Sequence, residues 1–330
     1  MIRFRLFLLL GALLATAGFG LFVGAANLTM SEAWNGLVSG LGLVTTGGLA
    51  EAVVMDIRLP RTLGGILVGA ALGVGGTGLQ GIYRNPVAEP YLLGISAAAG
   101  LGFVLGALVS PVGGVPVTQL LFAGLAGAFA AVVTRKIAAV APTGNGFVLV
   151  GVALGFALLA WTLVVIFIVD SPRIPTFAYF VFGSLGTVTW PLVYVSLPVV
   201  IVGMLVIGTN PRSLDLMSLG DTQAISLGVD VTRMTTFVLG TVGIIVGASV
   251  AIAGVVGFVG LLTPLAGRRI VGPGHRNLIV AAAVIGGLFV LWADILIRGL
   301  VGQVEVPLGV VTAAVGGPIL IIMLFRRDWA

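Results

Sequence analysis

The charged residues of this chain are confined to narrow gaps between long uncharged stretches. Its 330 residues include only 16 Lys or Arg and 11 Asp or Glu, and the mean hydropathy is +1.23. A bilayer core about 30 Å thick needs about 20 apolar residues per helix, and a charge at its centre costs about 2.5–3.5 kcal/mol. Charges are therefore expected at the ends of membrane spans. The pattern predicts an all-α polytopic membrane protein with a single membrane domain over residues 1–330.

The stretches between charges and Pro or Gly breaks predict about ten spans. They are 6–26, 62–83, 92–109, 117–134, 147–169, 191–208, 234–254, 257–267, 278–297 and 308–325. The first apolar run exceeds the roughly 7–15 apolar residues of a signal peptide, so it is interpreted as the first span. The run 234–267 is ambiguous, because at about 1.5 Å per residue it is too long for one span and short for two.

The placement of arginines favours ten spans with both termini in the cytoplasm. In that topology most basic residues lie inside, and few lie outside: Arg58, Arg61, Arg173 and Arg298. Merging 234–267 into one span would move more arginines outside, against the enrichment of Lys and Arg in cytoplasmic loops. The run is therefore interpreted as two spans, the second short or broken.

A glycine-rich segment occurs twice in the chain. Gly65–Ala70 is similar to Gly243–Ala248, with an offset of 178 residues from Gly69 to Gly247. Chance matching of Gly/Ala-rich spans is the alternative explanation. In the ten-span topology the two copies begin on opposite sides of the membrane. The pattern therefore predicts an inverted repeat, common in transporters, with halves of roughly 58–170 and 233–325.

Motifs for catalysis and cofactor binding are absent or out of context. The G-x-G-x-x-G match at 73–78 lies inside a span with no preceding strand, so close helix packing explains it better than a dinucleotide site. The sequence has no cysteine, no Walker A motif and no H-E-x-x-H pair. The sole histidine, His275, is interpreted as a solvated residue of a cytoplasmic loop. We expect a non-catalytic protein with no metal and no cofactor of its own.

One intramembrane acid keeps a second class of transporter open. Asp294 is the candidate for the ion-coupling carboxylate that secondary transporters usually carry. Arg298 follows four residues later, where an ion pair on one helix face satisfies both side chains. The structural pair is favoured, and the alternative is an ion-coupled secondary transporter of a small hydrophobic solute.

Two polar constellations lie at the ends of spans. The first is Arg58-Leu59-Pro60-Arg61, joined on the outside by Arg298. These arginines are either snorkelling anchors or a docking surface for an acidic partner. The second is the segment 209–233, which carries the helix-start residues Ser218 and Asp221 and glycine stops. It is either a plain connection or a pair of short surface helices, and a plain connection seldom needs this length.

Together with other motifs, these constellations resemble the FecCD family, the permease subunits of type II ABC importers for iron chelates, haem and vitamin B12. The resemblance covers essentially the whole chain. It is carried by Arg58–Arg61, Arg84–Ser96, Gly151–Gly155, Leu219–Asp221, Leu227–Val229, Gly257–Leu261, Ala293–Arg298 and Pro307–Ala313. One departure is Thr263-Pro264-Leu265, where relatives commonly read V-P-H, which leaves the local structure of the eighth span open.

The resemblance implies a ten-helix permease of the inner membrane that forms a homodimer around a central path. Two ATPase subunits would bind inside and carry the ATP, and a substrate-binding protein would dock outside. The residues that match the family's docking pocket are Arg58, Arg61 and Arg298. Those that match its ATPase-coupling helices are Leu219, Gly220, Asp221, Leu227 and Gly228. Those that match its cytoplasmic gate are Asn85, Val87, Gly144 and Asn145.

Overall fold

The structure is a computed structural model that describes residues 1–24, 26, 28–43, 48–110, 116–138, 146–169, 181–300 and 306–325. The described secondary structure is entirely helical. The helices are α1 (Ile2–Phe22), α2 (Met30–Gly40), α3 (Leu49–Ala52) with a π-helical extension (Val53–Arg58), α4 (Leu59–Tyr83), α5 (Ile95–Val109), α6 (Val117–Ala138), α7 (Gly146–Val169), α8 (Trp190–Gly208), α9 (Pro211–Met217), α10 (Asp221–Ser226), α11 (Val231–Ala253), α12 (Val259–Val271), α13 (His275–Leu300) and α14 (Leu308–Phe325).

Each of the ten predicted spans coincides with one of these helices. In the described part of the chain, seven helices are long and apolar enough to cross a membrane: α1, α4, α6, α7, α8, α11 and α13. Helices α5 and α14 are apolar but shorter. The fold is thus the all-α membrane fold that the sequence predicts, and the number of ten crossings stays a prediction.

Helix α4 lies at the centre of the bundle. Of its 25 residues, 20 are buried, as expected of a helix that is apolar on every side. It packs antiparallel to α13, because Gly69 near its middle meets Gly286, while Gly81 at its end meets His275. A Cβ atom on Gly69 would overlap the Gly286 carbonyl, so the two backbones approach each other only because both residues are glycine.

The helices of the two predicted repeat halves pack with corresponding partners. Helix α4 packs on α13 and on α12, and α11 packs on α6 and on α5. The α11–α6 contact is again a glycine pair, in which Gly247 meets Gly124. Helix α5 also packs on α6, as α12 packs on α13. The first helix of each half, α4 or α11, thus packs on the next two helices of the other half, as a two-fold axis between the halves would produce. The inverted repeat itself stays a prediction.

The ambiguous run 234–267 divides into two helices, as predicted. Helix α11 ends before Gly254, whose φ is 69°, and α12 begins after Phe258, whose φ is 66°. A non-glycine residue seldom adopts this left-handed conformation, so tertiary contacts must hold the break in place. The first helical turns of α12 then lie against α4.

Proline 264 lies inside α12 and leaves the Gly260 carbonyl without its usual helical donor. The amide nitrogen of Gln80 on α4 lies 3.4 Å from that carbonyl oxygen, and the amide oxygen of Gln80 accepts a hydrogen bond of 2.6 Å from Arg268. Helix α12 therefore continues through the proline because a polar side chain of the central helix replaces the missing donor.

Candidate functional site

Asp294 lies between two arginines near the end of α13. Its side chain is buried, with Arg61 Nη2 2.7 Å from Oδ1 and Arg298 Nε 2.9 Å from Oδ2. The pair with Arg298, predicted from the spacing of four residues, is confirmed. The contact with Arg61 joins the start of α4 to the end of α13, and sequence spacing gave no signal for it because the two residues are 233 positions apart.

Arg58 and Arg298 bind the backbone at the end of α1. Arg58 donates to the carbonyls of Leu21 and Ala26, both at 2.8 Å. Arg298 donates to the carbonyl of Val23 at 2.7 Å. The last carbonyls of a helix have no intrahelical partner, and cations at that end are favoured by the helix dipole. The two guanidinium groups therefore complete the end of α1.

The arginine cluster is defined as Arg58, Arg61, Arg298 and Asp294. Its three arginines differ in how far their side chains are exposed to solvent. Arg58 is only 3% exposed, and Arg298 is also buried. The side chain of Arg61 is 16% exposed. The cluster holds three arginines and one carboxylate, of which Arg61 and Arg298 contact Asp294, so it carries excess positive charge. Docking of an acidic partner stays a prediction, and Arg61 is the member closest to the surface.

At the other end of α4, the chain turns through Asn85 and Val87. Arg84 closes the helix in the left-handed conformation, with φ of 50°, and the Asn85 side chain accepts a hydrogen bond of 2.9 Å from the Val87 backbone. Both predicted gate residues are thus held in one tight turn and are partly buried. The other two predicted gate residues, Gly144 and Asn145, lie outside the described residues.

Glu89 follows this turn and is buried against the start of α12. Its carboxylate accepts a hydrogen bond of 3.3 Å from the Phe258 backbone, the left-handed residue that precedes α12. Burial raises the pKa of Glu89 to about 7, although the backbone donors Phe258 and Leu261 oppose the shift. The carboxylate therefore joins the 84–94 connection to the break between α11 and α12. The charge of Glu89 alone does not indicate this contact, because its partner is a backbone group.

The segment 209–233, called the coupling segment after its predicted role, contains the short helices α9 and α10. Gly220, with φ of 121°, directly precedes α10 as its N-cap residue, and Gly228, with φ of 87°, follows the end of α10 as its sequence position indicates. Leu214 and Met217 anchor α9 in the core. The prediction of two short surface helices is confirmed, and a plain connection is excluded.

The coupling segment exposes three large apolar side chains among polar ones. Leu219 is 61% exposed, and Ile225 and Leu227 are exposed to a similar extent. Asp221 begins α10, and its carboxylate lies 3.1 Å from the Arg84 guanidinium, with both side chains largely exposed. The predicted coupling residues Leu219, Gly220, Asp221, Leu227 and Gly228 thus share one surface that is tied to the turn at Arg84.

The interpretation of His275 as a solvated loop residue is wrong. His275 is the first residue of α13 and only 4% exposed, and its Nδ1 lies 2.6 Å from Asp215 Oδ1. It is buried because α9 folds back over the start of α13 and α4 lies beneath the ring. Nothing in the local sequence indicates that return. Within the described ranges, no three His, Asp or Glu side chains lie together as metal ligands.

Comparison with known proteins gives one consistent family. The model of the FecCD transport family matches residues 8–326. The hemin transport system permease protein of Yersinia pestis is 34% identical, over 99% of this chain and 96% of its own length. The vitamin B12 import system permease protein of Vibrio cholerae is 34% identical, over 97% of this chain and 93% of its own length.

A solved structure shares the fold over nearly the whole length. It is an inward-facing conformation of a transporter assigned to the metal-chelate ABC type, with a TM-score of 0.80 and 24% identity. The alignment covers 99% of this chain and 100% of that chain. The end-to-end family match and the agreement of folds lead to one conclusion: the chain belongs to the FecCD transport family.

Proposed function

We propose that this protein is the membrane-spanning permease subunit of an ATP-binding-cassette importer. Its relatives in Yersinia pestis and Vibrio cholerae are permeases for hemin and vitamin B12, and they match this chain nearly end to end. The cargo is accordingly an iron chelate (siderophore or haem) or cobalamin, delivered by an extracytoplasmic binding protein. The observation that carries the proposal is the coupling segment, two short helices between apolar membrane helices that expose Leu219, Ile225 and Leu227.

In the proposed assembly, two ATPase subunits bind the coupling segments of the two permease copies. Exposed apolar side chains clustered at one place mark protein–protein contacts, and Leu219, Ile225 and Leu227 form such a group. Two copies of the permease form a homodimer in the cytoplasmic (inner) membrane, with both termini in the cytoplasm. The permease itself is non-catalytic, and its ATPase partners bind and hydrolyse ATP.

The arginine cluster serves as the docking surface for the binding protein. Guanidinium groups grip carboxylates with two parallel hydrogen bonds, and the cluster carries more positive than negative charge. Arg61 makes the first contact because its side chain reaches the surface, while Arg58 and Arg298 fix the end of α1 beside it. The cytoplasmic gate is formed by the turn at Asn85 and Val87, together with Gly144 and Asn145.

Reconstitution with the cognate ATPase and binding protein tests this function. We expect uptake of the chelate into vesicles to require ATP and both partners. Leu219→Asp places a charge among the exposed apolar side chains, so it should abolish ATPase binding while the permease still inserts and melts as wild type. Leu49→Asp, at an exposed leucine of α3, is the matched control and should leave ATPase binding intact.

The same experiment separates the ion-coupled alternative. Asp294 is held between two arginines, so it is not a free carboxylate of the kind that binds a coupling ion. Uptake that survives without any ATPase and stops when the ion gradient is dissipated would overturn the importer proposal. Uptake that ignores the gradient and follows ATP hydrolysis would support it.

A further inference from the structure

A carboxylate oxygen of Asp215, in the coupling segment, caps the first turn of α13. Asp215 Oδ1 accepts a hydrogen bond of 2.9 Å from the His275 backbone and lies 2.6 Å from Nδ1 of the same residue. A carboxylate is only an acceptor, so the ring carries its hydrogen on Nδ1. The backbone contact satisfies one of the first N–H groups of α13, where the helix dipole favours negative charge.

The His275 ring is enclosed between two other helices, α9 and α4. Asp215 of α9 lies at its Nδ1 side, and Gly81 of α4 lies so close on the other side that a Cβ atom there would be 2.8 Å from Nε2. Leu214, the neighbour of Asp215, is fully buried and faces the same glycine. The ring is therefore a spacer that sets the distance between the coupling segment and the central pair of helices.

Helix α13 connects this contact to the arginine cluster. The stretch from His275 to Asp294 is about 28 Å of continuous helix at about 1.5 Å per residue, close to the thickness of a bilayer core. At its far end Asp294 binds Arg61, and Arg298 binds the end of α1. One rigid helix thus has the coupling segment attached at one end and the proposed docking surface at the other.

We propose that Asp215 and His275 are positioning residues that transmit movement of the coupling segment to α13. This inference rests on the proposed function, since it requires ATPases on the coupling segment. When the ATPases shift α9, the Asp215 carboxylate carries the start of α13 with it, and the helix displaces Asp294 and its arginine partners. The contact is suited to this because it holds both the backbone and the ring of one residue.

The test compares transport per ATP hydrolysed in reconstituted vesicles. Asp215→Ala and His275→Ala should still bind the ATPases and support basal hydrolysis, but transport per ATP should fall by about tenfold or more. His275→Asn keeps a donor near the Nδ1 position and should restore much of the coupling. A double variant Asp215→Ala/His275→Ala should be no worse than either single one, because both remove the same contact.

A matched control exists in the same segment. Asp230 also caps a helix, accepting a hydrogen bond of 2.9 Å from the Arg233 backbone at the start of α11, and among the described residues it has no hydrogen bond or ion pair with α13. Asp230→Ala should reduce stability to a similar degree as Asp215→Ala while keeping the wild-type ratio of transport to hydrolysis. Equal loss of coupling in both variants would mean that only the helix cap matters, and would overturn the inference.

The two proposals fail in different ways. If wild-type protein transports without ATPases, the proposed function fails whatever the variants do. If wild-type transport depends on ATP, but Asp215→Ala and His275→Ala also transport normally per ATP hydrolysed, only the role of this contact is overturned. Gly81→Ala gives an independent check, because its Cβ displaces the ring without removing a polar group. It should lower the coupling ratio as His275→Ala does, and an unchanged ratio would count against the spacer role.

Discussion

The two ends of α13 hold their charged residues in different ways. At one end Asp294 is buried between Arg61 and Arg298, and those arginines also tie down α1. At the other end, Asp215 binds His275, and its side chain is 45% exposed. Asp215 lies on the short helix α9, which has few buried residues. Removing a partner from the first arrangement leaves a buried charge unpaired, whereas water can solvate the partly exposed Asp215 when its partner is removed. In the proposed mechanism the first end is the fixed frame, and the second end passes the movement of the coupling segment to α13.

The largest expected effect is at the buried end. Asp294→Asn would leave the buried Arg298 and the partly exposed Arg61 without a counter-charge, so we expect a loss of about 3–5 kcal/mol in the free energy of unfolding. Thermal melting of the detergent-solubilised protein measures it. Asp56→Asn, at an exposed carboxylate near the same end, is the control and should melt as wild type. A loss below about 1 kcal/mol at Asp294 would show that this end is as adaptable as the other.

A second prediction concerns docking at the same end. Arg61→Gln keeps Asp294 paired with Arg298 and should weaken binding of the binding protein by about 2–5 kcal/mol, the range for truncating one partner of a hydrogen-bonded charge pair. Binding by wild type should fall steeply with added salt. Surface plasmon resonance on nanodiscs would measure both.

Arg212→Gln is the control for this docking prediction, because Arg212 is exposed on α9 of the coupling segment. It should leave the affinity unchanged. If Arg61→Gln binds the partner as tightly as Arg212→Gln at low salt, the arginine cluster has a structural role only. In that case the contacts with Asp294 and with α1 are sufficient to explain the three arginines.

The helices and the coupling segment could be predicted from the sequence, but the contacts that connect them could not. Hydropathy and charge placement define each span locally, so the ten predicted spans agree with the helices. The Asp294–Arg298 pair is predictable because the two residues lie four apart on one helix. The burial of Arg58 is not, because its partners are backbone carbonyls, which no side-chain pattern reveals. The prediction of a solvated His275 is wrong for a different reason, since its partner Asp215 is 60 residues away in the sequence.

A smaller, pH-dependent effect is expected at Glu89. Its pKa is raised from 4.5 to about 7 by burial, so the folded protein binds this proton more tightly than the unfolded chain does. The corresponding stability is fully present below about pH 4.5 and is lost as the pH rises through about 7. Glu89→Gln should remove that pH dependence, which melting temperatures between pH 5 and pH 8 would show.

Glu32 provides a control of opposite sign for Glu89. It is exposed, and hydrogen bonds from Thr29 lower its pKa, so its contribution is present at neutral pH and is lost in acid. Glu32→Gln should therefore leave the loss of stability between pH 5 and pH 8 as it is in wild type. If Glu89→Gln keeps the full wild-type pH profile, then Glu89 does not hold a proton against the start of α12.

The smallest expected effect is at the exposed ion pair of the coupling segment. Arg84 and Asp221 lie 3.1 Å apart with both side chains largely in solvent, where such a pair contributes about 0.2–1 kcal/mol and is screened by salt. Asp221→Asn should therefore change the free energy of unfolding by no more than this, and the difference should vanish at high salt. A loss near that of Asp294→Asn would contradict the contrast between the two ends of α13. It would mean that the coupling segment is part of the rigid frame, and movement would then have to arise within the membrane helices themselves.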